Sequence, residues 1–148
     1  MELLQALDRT RDETLRHFKL GEADLSRTYG PGKWSVRHLL HHLADAESVM
    51  AERIRRVLSE GRQVLQVFDQ AAWARALDYP TMPLELLRDI YRSTRAGVRY
   101  LAARHYIKDG ALEWVHSVTG VRTLKDEFDK VAAHNEHHLS QIRMALGS

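Results

Sequence analysis

The chain has 148 residues, with 22 basic and 20 acidic side chains and a formal charge of +2. That length suits one domain spanning 1–148, and 44% hydrophobic residues with only 8 glycines and 3 prolines describe an ordered globular chain, not a linker. Nine histidines and no cysteine exclude disulfides, thiolate zinc sites, iron–sulfur clusters and a cysteine nucleophile, so any metal must be held by nitrogen and oxygen.

No apolar run approaches the roughly 18 residues of a membrane span. The start, MELLQALDRTRDE, carries acids in its first turns and lacks a signal peptide's basic start and apolar middle. No Lys/Arg block interleaves with aromatics, so nucleic acid is not an expected partner. The expectation is a soluble, cytoplasmic protein acting on a small molecule.

Four long segments carry helical periodicity. The first runs from Glu2 to Leu20, with Leu3, Leu4, Leu7, Leu15 and Phe18 apolar, and a turn-rich stretch follows over Thr28–Lys33. The second runs from Ser35 to Glu60. Ser35 is a good N-cap, and Trp34 before it can pack on Leu39 as a hydrophobic staple. Val64–Pro80 follows, in which residues 69–76 suit a short helix. The third long helix begins near Thr81, tolerates Pro83 in its first turn and reaches His105. The segment from Tyr106 to Arg122 reads as a long loop carrying Trp114, His116 and Gly120, and loops of that length are often functional. The fourth helix starts at Thr123, where Thr123 and Asp126 make a capping-box-like start, and ends near Leu146. Four amphipathic helices without convincing strands predict an all-α four-helix bundle.

Six histidines fall in two groups of one form: His38, His41 and His42 on the second helix, and His134, His137 and His138 on the fourth. Positions i and i+4 share a helix face, so His134 and His138 can meet at one ion while a third ligand comes from another helix. Three neutral imidazoles leave an open coordination position, as in reactive zinc-type sites. On the fourth helix the apolar stripe is Leu124, Phe128, Val131, Leu139 and Ile142. His138 lies inside it, His134 on its edge with Gln141 beside it, and His137 well outside. On the second helix the stripe is Val36, Leu39, Leu40, Leu43, Met50 and Ile54. His42 is the nearest of its three histidines to that stripe, though about 120° from its centre; His38 and His41 point further away. An isolated histidine more often packs than ligates; the paired spacing on two helices is what favours a metal site. A zincin motif fails because Glu136 sits two residues after His134. A di-iron bundle fails because only Glu113 and His116 have the required spacing.

Trp34-Ser35, His42-Leu-Ala-Asp45-Ala-Glu47 and, some ninety residues on, His134 with His137, His138, Gln141 and Ile142 together resemble the DinB/YfiT-like superfamily over nearly the whole chain. The resemblance implies a four-helix bundle with a long crossover connection and a divalent metal on His42, His134 and His138. It also implies a range of activities. Some members transfer low-molecular-weight thiols such as bacillithiol to electrophiles, others isomerise a substrate with mycothiol, and some respond to stress. The expected function is therefore activation of a low-molecular-weight thiol at a three-histidine site, with zinc or nickel as the first choice of metal and manganese or iron next. The alternatives are a metal-dependent hydrolase and a non-catalytic metal-binding stress protein; a homodimer is expected.

Other residues near the motifs have candidate roles. Glu47 falls near the centre of the second helix's apolar stripe, where a carboxylate needs a partner or a job. It is a candidate acceptor for a ligand histidine or a proton relay, against the favoured reading of a structural hydrogen bond to a neighbouring helix; Asp45 is expected to face solvent. Arg88, Arg92, Arg95 and Arg99 repeat along one flank of the third helix. Arg95 is the candidate for holding a cofactor carboxylate, against the reading of a solvated face. Gln141 and His116 are further candidates at the site, His116 through the long loop.

Overall fold

The computed structural model describes all residues, Met1–Ser148. Four long helices form the bundle: α1 (Glu2–His17), α3 (Val36–Glu60), α5 (Leu84–His105) and α6 (Leu124–Leu146), with short helices α2 (Glu22–Leu25) and α4 (Gln70–Ala76) between them. α1 packs against α5 and α6, and α3 packs against the same two. Two of the three consecutive pairs of long helices, α1 with α3 and α5 with α6, therefore stand diagonally across the bundle, which is the arrangement long crossover connections produce. No helix is long and apolar enough to cross a membrane.

The boundaries follow local chemistry. Ser35 Oγ accepts the His38 N–H and caps α3, which stops at Gly61 in a positive-φ conformation. At α6 both halves of the capping box form: Asp126 N–H donates to Thr123 Oγ1, and Thr123 N–H donates to the Asp126 carboxylate. Gly147 closes that helix in the left-handed region. The first helix ends three residues earlier than the periodicity suggests, at His17, because the chain turns through Phe18 into α2.

The segment after α5 differs from the long loop expected there. It folds as a β-hairpin, β2 (Glu113–His116) and β3 (Gly120–Thr123), joined on its other edge by the two-residue parallel strand β1 (Val64–Leu65). Trp114 and His116 point inward from alternate positions of β2, and Val115 lies between them. Trp114 is fully buried, and its indole N–H donates to the Thr123 carbonyl.

The core divides into two apolar halves. One gathers Leu3, Leu7, Met50, Ile54, Trp114 and Phe128; the other gathers Phe18, Leu39, Leu43, Leu87, Tyr91 and Ile142. Between them every long helix contributes a buried polar side chain: Thr10 and Thr14 from α1, Glu47 from α3, Arg95 from α5 and Asn135 from α6. The Arg95 guanidinium donates to both Glu47 carboxylate oxygens (2.6 and 2.8 Å), to the Leu7 carbonyl and Thr10 Oγ1 (3.0 and 2.9 Å), and to Asn135 Oδ1 (2.6 Å). These bonds use all five guanidinium N–H groups. Tyr91 O–H also donates to Asn135 Oδ1, and the Asn135 amide donates to Thr14 Oγ1.

Candidate metal centre

α3 delivers His42 and α6 delivers His134 and His138, one helical turn apart. Their Nε2 atoms converge: His42 to His134 at 3.0 Å, and His134 to His138 at 3.1 Å. The three ligand atoms lie within 4.8 Å of one another. Tetrahedral Zn–N bonds of about 2.0–2.1 Å place ligand nitrogens about 3.3 Å apart, so the spacing needs only a small opening to take an ion.

Burial and mutual proximity hold the cluster neutral, the form a ligand histidine requires. Desolvation, then the neighbouring histidines, lowers the pKa of His42 to about 3 and that of His134 to about 2; burial also lowers that of His138. Orientation is clearest at His138. Its Nδ1–H donates to Gln141 Oε1 at 2.7 Å, while the Gln141 amide donates to His137 Nε2 at 3.2 Å. Anchored at both ends, the amide leaves the Nε2 lone pair of His138 facing the other two rings. The Nδ1 atoms of His42 and His134 are buried without a protein partner. A proton on His134 Nε2 can serve one of the two close contacts well, whereas a divalent cation satisfies all three lone pairs. The donor set fits a borderline metal such as zinc or nickel.

Aromatic side chains hold His42 in place. Phe68 stacks on its ring at 5.7 Å and Trp34 packs at 5.3 Å. Both come from connections rather than bundle helices, and Phe68 was not among the candidate residues. Its segment shows no periodicity, and only its position after α3 could have suggested a covering role. Lys130 is the other residue not anticipated: it sits one turn before His134 on α6, and both line a cavity of about 170 Å³.

The remaining candidates divide clearly. Gln141 touches the site, and His116 lines the cavity with His134 and Lys130. Burial and the Arg53, Lys130 and Arg122 cations lower the pKa of His116. Glu47 does not reach a ligand histidine, since both carboxylate oxygens are engaged by Arg95. Arg95 is fully buried with its five donors in use, so it is unavailable to a cofactor carboxylate. The helical flank suggested exposure for Arg95, but the polar layer draws it inward. Arg88, Arg92 and Arg99 do form surface ion pairs, with Asp89 and Asp8. Asp45 is also a correction: it accepts the Tyr79 O–H at 2.7 Å in a partly buried pocket instead of facing solvent. His41, expected to point away, is buried and stacked on Tyr79 at 3.7 Å.

Two outcomes follow from this geometry. Gln141→Ala should weaken metal affinity by about 10–100-fold, the usual cost of losing a ligand's hydrogen-bond partner, measured by competition with a chromophoric chelator. The metal-free protein should lose stability below neutral pH. The unfolded chain protonates His42 and His134 near pH 6.5 while the folded chain resists to about 3 and about 2. Their stabilising effect is therefore complete above pH 6.5 and fades as pH falls toward the folded values, by about 1.4 kcal/mol per ring at pH 5.5. Urea unfolding across pH 5.5–8 reads this directly, and a flat profile would contradict it.

Comparison with known proteins identifies the family. The family model of the DinB superfamily matches residues 6–142. A protein of Oceanobacillus iheyensis, provisionally described as a metal-dependent hydrolase, is 30% identical over 129 residues, covering 87% of this chain and 74% of that one. YfiT of Bacillus subtilis, with the same provisional description, is 28% identical over 126 residues, covering 82% and 68%. The solved structure of YfiT, described as a four-helix bundle of unusual topology, superposes with a TM-score of 0.75 at 23% identity, covering 99% of this chain and 83% of that one. The chain thus belongs to the DinB superfamily.

Proposed function

We propose that this protein is a divalent-metal-dependent enzyme in which His42, His134 and His138 hold the ion and a small molecule is attacked beside it. The convergence of three Nε2 atoms at 3.0 and 3.1 Å carries the reading. A divalent ion held there would lower the pKa of a water or thiol and so supply a nucleophile near neutral pH. The protein's own contribution is orientation and exclusion of water. Gln141 sets the His138 ring, Phe68 and Trp34 shield His42, and the cavity confines the substrate against His134.

The provisional descriptions of the relatives favour water as nucleophile, hence hydrolysis. One feature of the site favours a second reading, transfer of a low-molecular-weight thiol. The cavity lining offers cationic, amide and imidazole groups among apolar ones, with no carboxylate to act as a base. A thiol, with an ordinary pKa near 8.5, ionises on a metal with less assistance than water. The deciding experiment assays zinc- and nickel-loaded protein against activated esters, phosphodiesters and alkylating electrophiles, each with and without several soluble thiols. Metal-dependent saturable turnover that His134→Ala abolishes supports the proposal. The thiol requirement then selects the nucleophile, and no saturable turnover in any arm would overturn the enzymatic reading.

A further inference from the structure

His116 makes hydrogen bonds on one side of its ring only. Its Nδ1 accepts the backbone N–H groups of Val118 (3.1 Å) and Thr119 (3.2 Å) in the turn of the hairpin. An Nδ1 that accepts two N–H groups carries no proton, so the neutral ring bears its proton on Nε2. The turn itself is fastened to the neighbouring strand: Ser117 N–H donates to the Leu65 carbonyl, and Ser117 Oγ accepts the Val67 N–H at 2.8 Å. His116 is thus a fixed donor at Nε2, on the ring edge away from the turn. It lines both the cavity that reaches His134 and a neighbouring cleft of about 380 Å³.

Lys130 lines the same two spaces. The acids near it are already committed: Asp126 to the Thr123 cap, Glu127 to Arg53, and Asp129 to Lys125 and Tyr106. Lys130 has no ion-pair partner among the charged groups of the protein, unlike Lys125 on the same helix. An immobilised N–H donor and an uncommitted ammonium therefore share a cavity without a carboxylate in its lining, the committed Asp126, Glu127 and Asp129 lining the neighbouring cleft instead. That combination recognises an oxyanion.

We propose that His116 and Lys130 form an oxyanion-binding corner that takes a carboxylate or phosphate group of the substrate beside the three-histidine cluster. The assignment rests on the metal-dependent reading for its place next to a reacting centre, and it makes His116 a donor and not a general base. It restricts the substrates to molecules bearing an acidic group within reach of the metal.

The test uses full-length zinc-loaded protein labelled with ¹⁵N at histidine and lysine, titrated separately with inorganic phosphate and with propionate. The ring spectrum of His116 should show an unprotonated Nδ1 and a protonated Nε2. At least one anion should shift His116 Nε2 and Lys130 with saturation, and the stronger binder identifies the acidic group. His116→Asn keeps an acceptor for the turn and removes the distal donor; Lys130→Met removes the charge and keeps most of the stem. Each should weaken that anion by about tenfold or more, while Lys19→Met, which changes net charge equally, should not. Proton placement on Nδ1, no saturable shift, or equal weakening by Lys130→Met and Lys19→Met would each overturn the proposal. Elemental analysis of the same samples separates the two readings. Bound zinc without anion shifts refutes this corner alone, whereas failure to bind zinc refutes the metal centre and leaves the His116 tautomer still readable.

Discussion

His134→Ala is expected to give a folded protein that retains no divalent ion, whereas the parent, purified without chelators or metal-affinity resin, carries a stoichiometric one. His134 stands between the other two ligands, 3.0 Å from His42 and 3.1 Å from His138, so its loss leaves two nitrogens for an ion that needs three. The affinity should fall by well over the roughly 100-fold that marks the upper cost of losing a ligand's supporting partner. Added zinc should stabilise the parent by about 4 kcal/mol at a thousandfold excess over Kd and raise its Tm, with no comparable rise in the variant. His137→Ala is the matched control. It lies in the same histidine run but supports the site only through the Gln141 amide and the edge of the His138 ring, so its metal content should fall far less than that of His134→Ala. Elemental analysis and thermal melts with zinc, nickel and manganese read both. A parent that neither carries metal nor responds to any of the three would remove the basis of the proposed function.

Arg95→Ala should damage the fold while sparing the metal ligands themselves. The guanidinium is fully buried and holds Glu47, Thr10, Asn135 and the Leu7 carbonyl at once. Removing it leaves the Glu47 carboxylate buried without its partner, a change that costs about 3–5 kcal/mol, or roughly 10 °C in Tm for a chain of this size. Much of that loss belongs to the stranded carboxylate, not to the pair's net contribution. Combining Arg95→Met with Glu47→Leu should therefore recover a large part of it. Chemical unfolding of the single and double variants measures the difference. If the double variant were as unstable as Arg95→Ala, the layer would be contributing more than charge neutralisation. Zinc stoichiometry of the folded fraction should remain at the parental level, since neither Glu47 nor Arg95 bonds a ligand histidine.

The helical elements and most of the site were legible in the sequence because both depend on local periodicity. The apolar stripes of α3 and α6 are buried as the helical wheel requires, the caps at Ser35 and Thr123 form as their residue types dictate, and the i,i+4 spacing of His134 and His138 brings both to one point. Gln141, three residues after His138, joins them for the same reason. The hairpin is not legible in this way although Trp114, Val115 and Val121 have strand character, because a four-residue strand is too short to display its period against a background of loop residues.

The wheel also shows where local information ends. It places His42 far from the centre of its stripe, since a stripe assumes that a helix buries one face. In the folded protein α3 is covered on a second side by residues that follow it: Phe68 lies on His42 and Tyr79 on His41. Both histidines become buried through chain segments that no periodicity within α3 can anticipate. Arg95 gives the same lesson in reverse. Its sequence neighbours describe a charged flank, and only the meeting of α1, α3, α5 and α6 supplies the carboxylate, carbonyl and hydroxyl acceptors that draw it inside. The four long helices, the caps at Ser35 and Thr123 and the shared face of His134 and His138 are legible without the fold, because each arises from contacts between residues a few positions apart. Only the folded chain sets the surroundings of His42, commits Glu47 to Arg95 and brings His116 and Lys130 to the lining of one cavity, because those depend on groups brought together from distant parts of the chain.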